Sequence, residues 1–316
     1  MIIKNRREFL KKGTTAAAGL GLLSAFPNFS AFSKPEADMF FKISLAEWSL
    51  NKALFGGDLD NLDFPAKAKN DFGINAVEYV NQFFKDKAED TKYLNELKTR
   101  CADIDVTSVL IMIDGEGQLA NADQNKRKEA VEKHYKWVHA AKELGCHSIR
   151  VNAAGGGSYE DSQKAAIEGL SMLTEYGEKN GIGIIVENHG GLSSNGDWLA
   201  GVMKGVNNPY FGSLPDLGNF CIKAKWENGK RNCLDQFDPY KGTEMLMPFA
   251  KGVSAKTHEF DSEGNETEID YLKMMKIVKD AGFTGYVGIE FEGTMPQDEG
   301  IRATKKLLEK VGKQLS

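Results

Sequence analysis

The sequence predicts a single-domain α/β fold, a (β/α)8 barrel, and three observations carry that expectation. Short apolar runs alternate with amphipathic stretches eight times, at intervals of roughly 30–40 residues, the rhythm of strand–helix units around a parallel sheet. Most of these runs pass directly into polar, often acidic, residues, as they should where strands surface at the ligand-binding end of a barrel. Nothing between Lys42 and Val311 reads as a linker, and the Gly-rich GxGxxG turn of the rival doubly wound sheet is missing after the first strand.

In order, Phe41 to Leu45 is the first strand, ending at Glu47-Trp48, and Leu59 to Asp71 is a helix closed by Gly73. Ala76 to Tyr79 is the second strand, ending near Asn81, with a helix from Thr91 to Cys101 behind it. The third strand is Val106 to Ile111. Asn125 to Leu144 places Ala130, Tyr135, Val138, Ala141 and Leu144 largely at helical spacing and stops at Gly145. Ser148 to Val151 is the fourth strand and Tyr159 to Asn180 its helix. The fifth unit pairs the strand ending at Glu187 with a helix from Trp198 to Val206. The sixth strand, Phe211 to Leu214, leads into Asp216. Residues Phe220 to Gly242 are polar and aperiodic, longer than an ordinary connection, and predict a functional loop or lid before a brief helix from Glu244 to Ala250. Val253 to Lys256 is the seventh strand, ending at Thr257-His258, with a helix from Glu268 to Ala281 closed by Gly282. Tyr286 to Ile289 is the eighth, ending at Glu290-Phe291-Glu292-Gly293, and a helix from Asp298 to Val311 closes the fold.

The amino terminus reads differently. Lys4, Arg6, Arg7, Lys11 and Lys12 precede an apolar stretch from Thr14 to Phe26 that is short and Gly/Ala-rich for a membrane span. Asn5-Arg6-Arg7-Glu8-Phe9-Leu10-Lys11 closely resembles a twin-arginine export signal, and Ala31-Phe32-Ser33 offers small residues for cleavage near Lys34. The expected division is a leader over residues 1–33 and a barrel over 34–316, exported by the twin-arginine machinery to the periplasm or beyond. Without the leader the chain keeps 35 basic and 44 acidic residues, a net charge of −9. No basic stripe is present, which argues against a nucleic-acid partner. Four cysteines, Cys101, Cys146, Cys221 and Cys233, show neither a CxxC nor a zinc spacing. Cys221 and Cys233 share one loop and could pair in an oxidising compartment.

The run Ile184-Ile185-Val186-Glu187-Asn188-His189-Gly190-Gly191 is the most informative stretch. Apolar residues there meet a carboxylate, an amide, an imidazole and two glycines where a strand surfaces. The same register collects Trp48, Arg150, Asn152, His189, Lys256 and Glu292 at one end of the barrel. Glu187, Asp216, His258 and Glu290, from strands five to eight, could converge on a metal. Three carboxylates and one imidazole suit Mn²⁺, Mg²⁺ or Co²⁺. Plain readings compete. Asp216 in Leu214-Pro215-Asp216-Leu217-Gly218-Asn219 could be a turn residue, His258 a solvated loop histidine, and Arg150 a structural ion-pair residue.

From about Lys42 to Val311 the chain resembles the xylose isomerase-like TIM-barrel superfamily of sugar-phosphate isomerases and epimerases. Val186-Glu187-Asn188-His189, Pro215-Asp216-Leu217-Gly218-Asn219, Lys256-Thr257-His258 and Gly288-Ile289-Glu290-Phe291-Glu292 carry the resemblance. It implies a divalent metal, often manganese, held by Glu187, Asp216, His258 and Glu290, with Glu187 and Glu290 doubling as acid and base of a ketose epimerisation. The chain departs from the pattern in three places, one of them the longer loop from Phe220 to Gly242. Ser254 stands where a histidine is usual, so either His258 or a shifted register supplies the seventh-strand ligand. Asn219 stands where many members carry a second histidine.

The expected activity is isomerisation or epimerisation of a ketose or sugar derivative through an enediolate. Arg150, Asn152, His189, Lys256 and Glu292 would contact the substrate, and Trp48 would wall the sugar ring. Two alternatives remain at this level. One is elimination from a 3-keto-glycoside at the same site, which the long polar loop suits. The other is an exported sugar-binding protein without catalysis. The multi-zinc nucleic-acid branch of the fold is set aside, because the chain has only five histidines. Oligomeric state is open.

Overall fold

The computed structural model describes residues 39–227 and 230–316; the leader expected over residues 1–33 and the cleavage expected near Lys34 lie outside them. Eight parallel strands form a nearly closed barrel. They are β1 (Lys42–Ala46), β2 (Ala76–Val80), β3 (Thr107–Met112), β4 (Ser148–Asn152), β5 (Gly183–Glu187), β6 (Phe211–Leu214), β9 (Val253–Thr257) and β10 (Tyr286–Phe291). The sheet runs β6-β5-β4-β3-β2-β1-β10-β9. Its two ends meet through isolated bridges, Ser213 with Ala250 and Asp216 with Ser254, so the seam of the barrel passes through the acidic strand ends. Two further strands, β7 (Cys221–Glu227) and β8 (Lys230–Gln236), pair antiparallel as a separate hairpin.

Local chemistry sets where the helices begin and end. Asp90, Asp123, Ser158, Asn195, Asp238 and Asp270 each cap α3 (Thr91–Asp103), α4 (Gln124–Leu144), α5 (Tyr159–Asn180), α6 (Gly196–Val206), α7 (Pro239–Leu246) and α8 (Tyr271–Asp280), respectively. Gly73, Gly145 and Gly181 stop α2 (Phe64–Phe72), α4 and α5 in the left-handed conformation, which costs a glycine little. The chain closes with α9 (Gln297–Leu315). Among the described residues no helix is long and apolar enough to cross a membrane.

Three differences from the sequence expectation have physical causes. The helix expected from Leu59 begins at Phe64, because Pro65 is favoured in a first turn, and a separate short α1 (Asn51–Gly56) precedes it. The helix expected from Glu244 begins at Pro239, where Asp238 supplies the cap. The stretch from Phe220 to Gly242 is largely the β7–β8 hairpin. Its residues are mostly exposed on both sides, so no apolar alternation marks its strands. A Cys221–Cys233 disulfide crosses it, with a Cα–Cα distance of 5.8 Å, while Cys101 and Cys146 are free and buried.

Two apolar clusters explain which strand residues face inward. Between strands and helices, the main core takes Leu45, Val77, Tyr79, Ile149, Val151, Ile184, Val186, Val253, Ala255, Val287, Ile289 and Phe291. A smaller cluster, contributed by strands alone, holds Ala46, Val80, Leu110, Met112, Ile185 and Leu214. Side chains alternate along a strand, so residues between the first set point into the barrel. That rule turns Ser44, Glu78, Arg150, Asn152, Glu187, Ser254, Lys256, Gly288 and Glu290 inward.

Candidate active site

Glu187, Asp216 and Glu290 meet at the carboxyl end of the barrel, one carboxylate oxygen from each lying within 4.8 Å of the others. All three are buried. Three ionised carboxylates cannot share a dry site unless positive charge and donors compensate them, and the surroundings supply both. Lys256, paired in register with Glu290, places its Nζ 3.0 Å from Glu290 Oε1, 3.4 Å from Asp216 Oδ2 and 2.6 Å from Glu292 Oε1. Ser254 Oγ lies 2.9 Å from both Asp216 Oδ2 and Glu290 Oε2. Arg150 Nε lies 2.8 Å from Glu187 Oε2, yet the N–H is not aligned for a hydrogen bond, and that oxygen has no other partner.

Backbone clips hold these groups in place. The Asn188 side chain accepts from Asp216 N at 2.8 Å and donates to the carbonyls of Asp216 at 2.8 Å and Asn219 at 3.0 Å. Asp216 Oδ1 accepts from the backbone of Gly218 at 2.8 Å and Asn219 at 2.9 Å, an Asx-type turn. Asn219 Nδ2 reaches back to Glu187 Oε1 at 3.1 Å. Asp216 is thus both the turn residue that its local sequence suggests and a member of the carboxylate group.

A second layer continues around the barrel. Asp114, just past β3, accepts from Arg150 Nη1 at 3.0 Å and from Asn152 Nδ2 at 2.6 Å, and Asn81 pins its backbone through two hydrogen bonds. Below the triad, Glu78 is buried, with one oxygen accepting from Ser44 at 2.5 Å and the other unpartnered. The missing side chain of Gly288 makes its room: a Cβ there would lie 2.6 Å from both Glu78 oxygens.

These environments split the carboxyls. Burial raises Glu187, and it pushes Asp216 up to about 7 and Glu78 up to about 7. Burial also opposes ionisation of Glu290, but the charges of Lys256 and Arg150 and the hydrogen bonds of Lys256 and Ser254 outweigh it and hold Glu290 low. Asp114 is held at about 2, Arg150 and His189 prevailing over its burial. Burial, together with the cations Arg150 and Lys256, lowers His189.

Above the triad opens a cavity of about 810 Å³. Its floor and sides include His189, Asn219, Lys256, His258, Glu268 and Glu292. The hairpin walls it with Cys221, Asn232, Cys233 and Gln236.

The structure thus gathers most of the residues singled out in the sequence. Glu187, Asp216 and Glu290 form the triad; Lys256 and Arg150 pair with it, and Glu292 pairs with Lys256; Asn152 and His189 stand beside it. His258 does not join the carboxylate group. It sits one residue beyond β9, half-buried on the cavity wall, and its backbone N–H meets Glu266 at 3.4 Å. The strand turns Ser254 and Lys256 inward instead, so the inward side chains of the seventh barrel strand are a hydroxyl and an ammonium. Trp48 lies in the turn after β1 and forms an aromatic patch with Phe55 and Phe83, at centroid distances of 6.0 and 6.1 Å. Asp114 and Glu78 are additions that sequence reasoning missed, while Asn188 and Ser254, present in the motifs read from the sequence, gain their roles as clip and bridging hydroxyl only here. Asp114 carries the same signal as Glu187, an apolar run ending in an acid. Glu78 is legible only once strand faces are assigned.

The donor set fits a hard divalent ion. Three buried carboxylates converge, one has an oxygen without a hydrogen bond, and oxygen donors suit Mg²⁺ or Mn²⁺. Glu187, Asp216 and Glu290 would hold it, with the Ser254 hydroxyl beside them where an imidazole is usual.

Comparison with known proteins agrees with this architecture. A sugar phosphate isomerase/epimerase from Parabacteroides distasonis superposes with a TM-score of 0.63 at 19% identity, over 86% of this chain and 95% of that one. The 3-keto-D-glucoside 4-epimerase of E. coli gives 0.60 at 11% identity, over 86% and 100%. A xylose isomerase-like TIM barrel protein from Mycobacterium smegmatis in complex with magnesium gives 0.58 at 16%, over 77% and 86%. No curated protein sequence matches the chain. The profile of one family matches residues 66–311, and on that match and its eight-stranded barrel the chain belongs to the xylose isomerase-like TIM barrel family.

Proposed function

We propose that the protein is a divalent-metal-dependent sugar isomerase or epimerase, exported through a twin-arginine signal, that works through an enediolate. The observation that carries this reading is the convergence of the buried carboxylates of Glu187, Asp216 and Glu290 at the carboxyl end of the barrel. A proton transfer beside a carbonyl needs one group to take the proton and another to return it, and Glu187 and Glu290 would divide those two tasks. A metal ion in the triad, Mn²⁺ foremost, would supply Lewis-acid polarisation of the carbonyl. His189 and His258 line the cavity where hydroxyls would sit, Asn152 stands beside Arg150 and Asp114, and Arg150 keeps Glu187 oriented. The solved neighbours named above include sugar isomerases and epimerases, which supports the class of chemistry.

A second reading, elimination from a 3-keto-glycoside, is favoured by the cavity. Its volume of about 810 Å³ and the hairpin side chains that wall it leave room beyond a single sugar ring. The same base would remove the proton beside the ketone, and the glycosidic oxygen would leave. A sugar-binding protein without catalysis would need no such buried group of converging carboxylates.

The test is metal analysis of the mature protein followed by assay on ketohexoses and 3-keto-glycosides. The proposal expects about one Mn²⁺ per chain, lost in Asp216→Asn, and turnover abolished in Glu187→Gln and Glu290→Gln. Wild-type protein that takes up no ion after dialysis against Mn²⁺ and turns over none of these sugars would refute it.

A further inference from the structure

The carboxylate triad already contains a cation of its own. Lys256 Nζ sits between Glu290 Oε1 at 3.0 Å and Asp216 Oδ2 at 3.4 Å, two of the three oxygen-bearing groups that would hold a metal. Its third contact, at 2.6 Å, is Glu292, whose side chain is 33% exposed against 0% for Asp216 and 5% for Glu290. The ammonium therefore straddles two inner carboxylates and one outer one that borders the cavity. Its stem has little freedom: a Cβ on Gly218 would lie 3.0 Å from Lys256 Cγ, and the Lys256 carbonyl accepts from Tyr271 Oη at 2.7 Å. Only the end of the side chain can choose between the inner and outer partners.

A divalent ion and this ammonium cannot share the inner oxygens cheaply. Like charges a few ångströms apart repel strongly at the effective dielectric of a protein interior, and a dication doubles the repulsion that a monocation would meet. We infer that Lys256 is the built-in counter-ion of the triad and competes with the metal for Asp216 and Glu290, with Glu292 as the anchor onto which it withdraws when the metal enters. Metal affinity is then set by Lys256 and Glu292 as well as by the ligands. This inference rests on the reading of the triad as a metal site.

The experiment is calorimetric titration of Mn²⁺ into chelator-stripped protein, comparing wild type, Lys256→Met, Glu292→Gln and the double variant, each checked for cooperative melting. Lys256→Met should bind Mn²⁺ at least tenfold tighter, and Glu292→Gln at least fivefold weaker. In the double variant the Glu292→Gln effect should vanish, because Glu292 acts through Lys256. A simple field effect of the lost carboxylate would persist there, and that result would overturn the inference. Equal affinity in wild type and Lys256→Met would overturn it while leaving the metal reading intact. Binding by Lys256→Met alone would overturn the withdrawal onto Glu292 and, with it, metal use by the wild type. Binding by none of the four would overturn both. Should Lys256→Met fail to fold, Lys256→Gln takes its place in the single and double variants, and the same outcomes decide.

Discussion

Asn188 and Asp216 are joined by a two-way clip. The Asn188 amide accepts from the Asp216 N–H and donates to the Asp216 carbonyl, both at 2.8 Å. This pair ties the end of β5 to the loop after β6 and so fixes the distance between Glu187 and Asp216. Asn188→Ala leaves one buried N–H and two carbonyls without that partner. We expect a loss of about 1–3 kcal/mol in urea unfolding, with a larger fall in kcat than in KM.

Arg150 is the only charged partner within ion-pair distance of Glu187 among the described residues, and it also holds Asp114. Arg150→Met strips the buried Glu187 and the half-buried Asp114 of that cation. Removing one side of a buried pair costs about 3–5 kcal/mol, so the variant should melt well below wild type. The Asp114 carboxyl, held at about 2, should rise toward the ordinary range, which carboxyl-labelled NMR would follow.

Glu78 gives the stability a pH slope of defined sign. Its folded-state value of about 7 lies above the ordinary 4.5, so between these values the folded chain keeps a proton that the unfolded chain has released. Its contribution to stability is therefore complete below about pH 4.5, falls as pH rises, and levels off above about 7. The full swing is about 3 kcal/mol. Glu78→Gln should remove that part of the slope, seen as a smaller difference between unfolding free energies at pH 5 and pH 8. An unchanged difference would contradict the assignment.

The Cys221–Cys233 bond closes a short loop in an exposed hairpin, so its effect should be local. Under a chain-entropy account a loop of this size contributes at most about 3 kcal/mol. Reduction, or paired Cys→Ser replacement, should shift the global melting temperature by only a few degrees while opening residues 222–236 to protease. Because the hairpin walls the cavity, KM for a glycoside should rise more than KM for a ketohexose.

His258→Ala separates a ligand from a wall residue. Lying outside the carboxylate group, His258 should leave Mn²⁺ content unchanged when removed and act on KM instead. Loss of the ion would return His258 to the ligand set.

Sequence alone determined the barrel and its acidic end. Eight apolar runs with helical stretches between them admit few other folds, because a parallel strand must bury both faces and needs a covering helix. Glu187, Asp216 and Glu290 were legible because an acid at the carboxyl end of a buried apolar run has only the barrel mouth to occupy. Tertiary structure decided the rest. Ser254, Lys256 and His258 share one strand parity, so which of them reaches the triad depends on where the strand stops, at Thr257, leaving His258 beyond it on the cavity wall. Glu78 looked like an ordinary strand residue, since only the absent side chain of Gly288, 210 positions away, gives it a place inside. The hairpin was hidden because both its faces meet water, so no burial pattern recorded it. Burial writes itself into sequence period, whereas partnership across the barrel is written only in three dimensions.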